Sequence, residues 1–332
     1  MLEGPELIAA TRRFATEDRS KTVWYVATTF FWLAVAAVAA ARAPHWGLRL
    51  AASILEGLII VRAFILAHDF QHGAILRKSK IGSAIFFVYG LLVLTPANAW
   101  RQTHNYHHAN TAKIIGSHMG SYPVLTVEMW KRTPRSKRIA YAIARHPITI
   151  LFGYLTIFLA GMCISSFLRN PKENYDSALA PLLHVALIAT LTHFFGFDVA
   201  FFSLILPLFI ACAAGAYLFY AQHNFPDAFI QPRQTWSFAR AAMESSSYMK
   251  TGKVMGWFTG DIGLHHIHHL NAAIPFYRLH EAMAEIPELQ IPPGTSLSPK
   301  DILACFRLKL WDPAQKKMVG YPDATPEPVA AE

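Results

Sequence analysis

The chemistry of this sequence is concentrated in its histidines. HDFQH places His68 and His72 four residues apart. HNYHH places His104, His107 and His108 at i, i+3 and i+4, and GLHHIHHLN repeats that spacing with His265, His268 and His269. On a helix each of these groups shares one face. Neutral imidazole is a good ligand for iron, zinc and copper, and an unpaired imidazole is costly in apolar surroundings. One metal uses three or four such residues, so eight point to two metals. His223 in FYAQHNFPD is a ninth candidate ligand, and Asn224 beside it is a candidate to hold a metal-bound water. His266 points sideways from the third cluster and reads as a supporting residue.

The acidic residues narrow the chemistry. A mononuclear iron site usually shows two histidines and a carboxylate, and a hydrolytic zinc pair normally adds bridging or basic carboxylates. Neither pattern is present, which favours dioxygen chemistry. Asp69, Asp227 and Asp261 lie near the clusters and are expected to accept hydrogen bonds from the outer nitrogens of ligating histidines. Trp100, Tyr106, Phe219, Tyr220, Trp257 and Phe258 flank the clusters and are candidates to line a substrate tunnel, although such aromatics are more often anchors or packing. His45, His146, His184 and His193 read as packing or interface residues, and His118 and His280 have no assigned role.

The elements that position these residues belong to a membrane protein. Of 332 residues 53% are hydrophobic and only 15% charged, well below the usual charge content of a soluble domain. The three cysteines form no paired framework. The polar N-terminal stretch lacks the pattern of a cleaved signal peptide. Residues 23–41 and 46–67 are long enough to cross a hydrocarbon core of roughly 30 Å, and further apolar runs cover residues 81–97, 147–168, 179–197 and 199–221. If the clusters meet, an even number of crossings separates each pair. The 81–97 run, ending in TPAN, is therefore expected to be interfacial or re-entrant. Residues 147–168 and 199–221 are expected to cross, with 179–197 at the far interface. The expected fold is all-α: about four transmembrane helices, interfacial or re-entrant helices and a cytoplasmic histidine-rich cap. Residues 1–22 are expected to form a cytoplasmic tail and 23–286 the membrane-embedded catalytic domain. Residues 287–332 are expected to form a turn-rich connector, a short amphipathic helix and a disordered tail.

The net charge of +9 fits this topology. Arg12, Arg13, Arg19 and Lys21 lie in the tail, and eleven Lys and Arg residues from Arg77 to Arg145 lie between the second and fourth apolar runs. Both regions, and the histidine surface, are expected on the cytoplasmic side of a bacterial inner membrane. Anionic lipid accounts for the surplus charge, and no spacing supports a nucleic-acid partner.

The three clusters resemble the histidine boxes HxxxH, HxxHH and (H/Q)xxHH of the integral-membrane fatty acid desaturase family, and the resemblance covers about residues 60–285. It implies a centre of two non-haem irons on the cytoplasmic side and a long acyl chain entering from the bilayer. It also implies electrons from ferredoxin or a small cytochrome, supplied by a separate protein because no fused haem domain is seen. A further histidine after the last span belongs to the family pattern, matching His223. The reaction so implied uses dioxygen to remove hydrogen from two adjacent methylenes, most simply of an acyl chain carried on membrane lipid. A hydroxylase or other oxygenase of a lipid, carotenoid or alkane on the same centre is the nearest alternative. A histidine-rich metal-binding or transport protein is the other, disfavoured because its ligands should sit near mid-membrane.

Overall fold

Asp18 starts the first long helix: its carboxylate accepts the Lys21 N–H at 3.1 Å and caps Arg19–Arg42. The computed structural model describes residues 2–322 apart from Gly116 and His118. At about 1.5 Å per residue this helix spans roughly 36 Å. It bears Trp24, Phe31, Trp32 and Val38 outward, all more than half exposed. Such a surface is stable in lipid and would aggregate in water. The second span, Trp46–Gln71, packs along it. Arg62, buried in the second span, donates to Thr29 Oγ1 of the first at 3.3 Å and to the carbonyl of Trp257.

Two further helices are long and apolar enough to cross, Asp176–Phe195 and Phe197–Ala221. The last of these packs against the second span at Gly57, where an added Cβ would lie 2.8 Å from the Pro207 carbonyl oxygen and 2.9 Å from the Ile210 side chain. Only glycine admits that approach. Between the second span and the second cluster stands a bent pair, Lys80–Leu92 and Ala97–Asn110, turning through 94°. Its corner is closed by the Thr95 N–H donating to the Gly90 carbonyl at 2.8 Å. The expected interruption at TPAN is this corner.

One assignment of the later runs is corrected. Residues 147–168 were expected to cross and 179–197 to lie at an interface; the uninterrupted 20-residue helix is Asp176–Phe195. The other run is interrupted after Pro147–Leu151 and resumes as one shorter helix, Tyr154–Arg169, whose first part, Tyr154–Ser165, is wide-turned π-helix. Thr156 contributes to the break, its hydroxyl donating to the carbonyls of Thr149 and Phe152. The turn that follows returns to the second-cluster helix: Gln102 Nε2 meets Glu173 Oε2 at 3.4 Å and the Asn98 N–H donates to Asp176 Oδ2 at 2.8 Å. Two crossings still separate the second cluster from the third, but they are Asp176–Phe195 and Phe197–Ala221, joined through Gly196 at φ 94°.

Both ends of the chain are built into the fold. The N-terminal residues fold as helix Gly4–Thr11 and bury Leu7 and Phe14 with Ile267, Leu270 and Ile274. The amphipathic helix is Pro299–Arg307, capped by Ser298. Beyond it Leu310–Asp312 pairs antiparallel with Lys317–Val319 and parallel with Leu125–Thr126. Leu310 and Trp311 are buried there, which is why this part does not trail away as a disordered tail. Residues 323–332 of that expected tail lie outside the described residues.

Candidate metal centre

Four elements bring the nine candidate histidines together. The end of the second span supplies His68, and His72 caps it. Helix Ala97–Asn110 supplies His104, His107 and His108, and helix His265–Leu270 supplies His265, His268 and His269. His223 stands in the turn just beyond the last span. They divide into two groups: His68, His72, His104, His108 and His268 in one, His107, His223, His265 and His269 in the other. Within each group one nitrogen per ring lies within 4.8 Å of all the rest. The groups adjoin, the rings of His108 and His269 stacking with centroids 4.2 Å apart.

Two of the converging atoms, one in each group, are bare lone pairs. His68 Nδ1 faces Asp69 Oδ1 at 3.1 Å, and donation there leaves Nε2 without a proton. That Nε2 lies 3.1 Å from His104 Nε2, which is in turn 3.0 Å from His108 Nε2. In the second group His223 Nδ1 donates to the Ser245 carbonyl at 3.0 Å. Its bare Nε2 then sits 3.0 Å from His107 Nε2 and 2.9 Å from His265 Nε2. A neutral imidazole has one N–H, so these contacts cannot all be hydrogen bonds. Two cations, one per group, satisfy every such nitrogen. Burial pushes His223 down to about 4, and burial with the neighbouring imidazoles holds His265, His268 and His269 well below the usual range. These rings are neutral at pH 7, the form a metal requires.

Of the expected supporting residues, Asp69 lies against the site: besides His68 it accepts the Phe276 N–H through Oδ2 at 2.7 Å. The others are elsewhere. Asp227 is exposed. Asp261 pairs with His280 at 3.2 Å rather than with a cluster histidine. His266 turns its Nε2 to the Leu289 carbonyl at 3.0 Å. Asn224 does not reach for a bound water: its amide donates to the carbonyls of Cys305 and Leu308, at 2.7 and 3.1 Å, and accepts from Arg145. Residues with no motif of their own also contribute, namely the Ser245 carbonyl and Thr111, whose hydroxyl is 3.4 Å from His269 Nδ1. Any residue type offers a carbonyl, so Ser245 left no signal to read. Thr111, directly behind HNYHHAN, could have been suspected from proximity.

Two recesses flank the centre. One, about 270 Å³, is mostly apolar and lies beside the five-histidine group, lined by Phe64, Ala67, His68, Phe86, Tyr89 and Trp100 among others. Trp100 forms part of its wall and stacks on His104 with centroids 4.2 Å apart. The other, about 480 Å³ and more enclosed, lies beside the four-histidine group and includes Thr111, Lys113, Tyr122, Phe219 and Tyr220. Among the tunnel candidates Trp100, Phe219 and Tyr220 therefore face a recess. Tyr106, Trp257 and Phe258 line neither. Trp257 instead covers the Arg62 guanidinium, 4.1 Å from the ring centroid.

The fatty acid desaturase family model matches residues 44–297. A fatty acid desaturase of Bacillus subtilis (strain 168) is 32% identical over 276 residues, covering 82% of this chain and 78% of its own. An sn-1 acyl-lipid omega-3 desaturase (ferredoxin) of Nostoc sp. (strain 36) is 24% identical over 243 residues, 70% of this chain and 66% of its own. An acyl-lipid omega-3 desaturase (cytochrome b5) of the endoplasmic reticulum of Arabidopsis thaliana is 26% identical over 281 residues, 79% of this chain and 69% of its own.

Proposed function

The chain belongs to the fatty acid desaturase family, and from this premise we propose that its two histidine groups hold two non-haem irons serving the desaturation of an acyl chain carried on membrane lipid. The protein is a membrane oxidoreductase that desaturates an acyl chain with dioxygen at a histidine-coordinated centre of the diiron type. The observation that carries the reading is the pairing of a five-nitrogen and a four-nitrogen cluster side by side. When bound, the metals supply the activation of dioxygen and the removal of hydrogen from two adjacent methylenes. Overall, dioxygen, two electrons, two protons and the two substrate hydrogens become two waters.

The chain's own residues provide place and orientation. We assign the acyl chain to the recess walled by Phe64, Phe86, Tyr89 and Trp100, because a methylene chain is stable only against such a lining and this recess opens beside His68. Trp100 touches both that recess and His104, so it sets how near the chain comes to the centre. Asp69 and the Ser245 carbonyl fix the tautomers of His68 and His223 from behind. Burial of the histidine face excludes bulk water from a site where stray oxidation would damage the protein.

The electron donor is a separate protein, a ferredoxin or a small cytochrome. The relatives whose names specify a donor support this. A bacterial inner membrane with the histidines on the cytoplasmic side is supported by the positive charge on the histidine side. Arg169 and Lys172 flank a turn that reaches the second-cluster helix and add to that charge.

Mass spectrometry of total membrane lipids from cells expressing the intact protein, beside His268→Ala, tests the reading. A lipid lighter by two hydrogens and absent with the variant is expected. A lipid heavier by one oxygen would replace desaturation with hydroxylation.

A further inference from the structure

His223 is the one member of the four-histidine group that no helix carries. His107, His265 and His269 are each set by helical geometry, whereas His223 stands in a turn whose course needs another restraint. Its neighbour Asn224 is 2% exposed and has both ends of its amide engaged. On one side it donates to the carbonyls of Cys305 and Leu308 in the C-terminal segment. On the other it accepts from the Arg145 guanidinium.

Arg145 is unusual in its own right. It is 1% exposed and forms no ion pair with a carboxylate among the described residues. A buried cation without a counter-charge is costly and needs a compensating role. Besides Asn224 it donates to the carbonyls of Tyr122 and Pro123, at 3.4 and 3.2 Å, and the rings of Tyr141 and Tyr220 cover it at 5.4 and 5.2 Å. Its own carbonyl accepts from Lys309 Nζ at 2.6 Å. The Arg145 side chain thus ties residues 122–123 to the turn holding His223, and residues 305–309 join them through Asn224 and through the Arg145 carbonyl. A guanidinium can do this because its donors form a rigid fork, which an ammonium lacks.

We propose that Arg145, acting through Asn224, is the positioning residue that holds His223 in the four-histidine group. The C-terminal segment forms the opposite side of the latch. The inference rests on the reading of the two groups as metal sites. It predicts an unequal effect: loss of the latch weakens the four-histidine site and spares the five-histidine site, which Asn224 does not touch. Positioning contacts of this kind change metal affinity by about 10- to 100-fold.

The test uses cobalt(II) as probe on full-length protein in detergent, comparing wild type with Asn224→Ala and Arg145→Lys. Metal per chain is counted against rising chelator, with the cobalt absorption spectrum and a thermal melt recorded for each. Two metals in wild type, and in the variants one retained and one released at about 10- to 100-fold lower chelator, are expected. Arg145→Lys keeps the buried charge and removes only the fork, so it serves if Asn224→Ala does not fold. Unchanged affinity for both metals, or equal loss of both from a folded variant, would overturn the inference. Fewer than two metals in wild type would remove the underlying reading and this inference with it.

Discussion

Asp69 is placed to tune the centre from behind His68. It is held by the Phe276 N–H and faces His68 Nδ1, so it couples the second span to the segment after the third cluster. Asp69→Ala is expected to lower metal affinity of the five-histidine group about 10- to 100-fold while sparing the other group. Chelator competition on the purified variant checks it, and equal affinities would show Asp69 to be packing alone. The buried rings also set an acid limit. His223 and His266 are both held near 4 by burial, against an ordinary value of 6.5. Above 6.5 neither state carries the extra protons. Between 6.5 and 4 the unfolded chain binds protons that the folded chain refuses, so stability falls as the pH is lowered through that window. The melting temperature of the metal-free protein should be flat above about pH 7 and drop progressively toward pH 4. A melt independent of pH across that range would contradict the burial of these rings.

At the scale of elements, the contact at Gly57 sets how closely the second span, which ends at the first histidine cluster, approaches the last span, which leads to His223. Both spans lead directly into site residues, the second into His72 and the last into His223. Gly57→Leu puts side-chain atoms where the Pro207 carbonyl and Ile210 already stand. Overpacking of this kind costs about 1–3 kcal/mol. A lower melting temperature in detergent is expected, with Gly47→Leu as control because nothing lies within 4 Å of its added Cβ. An equal melt for the two variants would show that the spans adjust freely. Pro181 sits in the second turn of Asp176–Phe195 without interrupting it, whereas the 147–168 run is interrupted at Phe152 with no proline there. Helix breakers in the sequence therefore did not mark which run was whole.

The whole molecule places the nine clustered histidines at one end and the Arg49–Asp198 ion pair, at 2.5 Å, where the second and last spans begin. The turn after Arg169 lies with the histidines. Single-cysteine variants at exposed Lys131 and Lys172 should then be labelled by an impermeant reagent from the same side of sealed vesicles. A cysteine at His45, between the first two spans, should be labelled from the other side. Labelling of Lys172→Cys together with His45→Cys would restore a crossing by residues 147–168.

What the sequence determined by itself was the composition of the centre. Helical spacing of 4, or of 3 and 4, put HDFQH, HNYHH and HHIHH each on one helical side, and hydropathy required a membrane. Both are local properties, readable from a few successive residues. Which histidine belongs to which group was decided only in three dimensions. Helix Ala97–Asn110 gives His104 and His108 to one group and His107 to the other, and helix His265–Leu270 likewise gives His268 to one and His265 and His269 to the other. A single helix fixes the angle between its side chains but not which neighbour each one meets. The same reason hid Arg145 in a run of basic charge, made Asn224 a clamp, and exchanged the crossing and partial roles of two equally apolar runs. Each depends on segments far apart in the chain, whose meeting is set by packing rather than by local pattern.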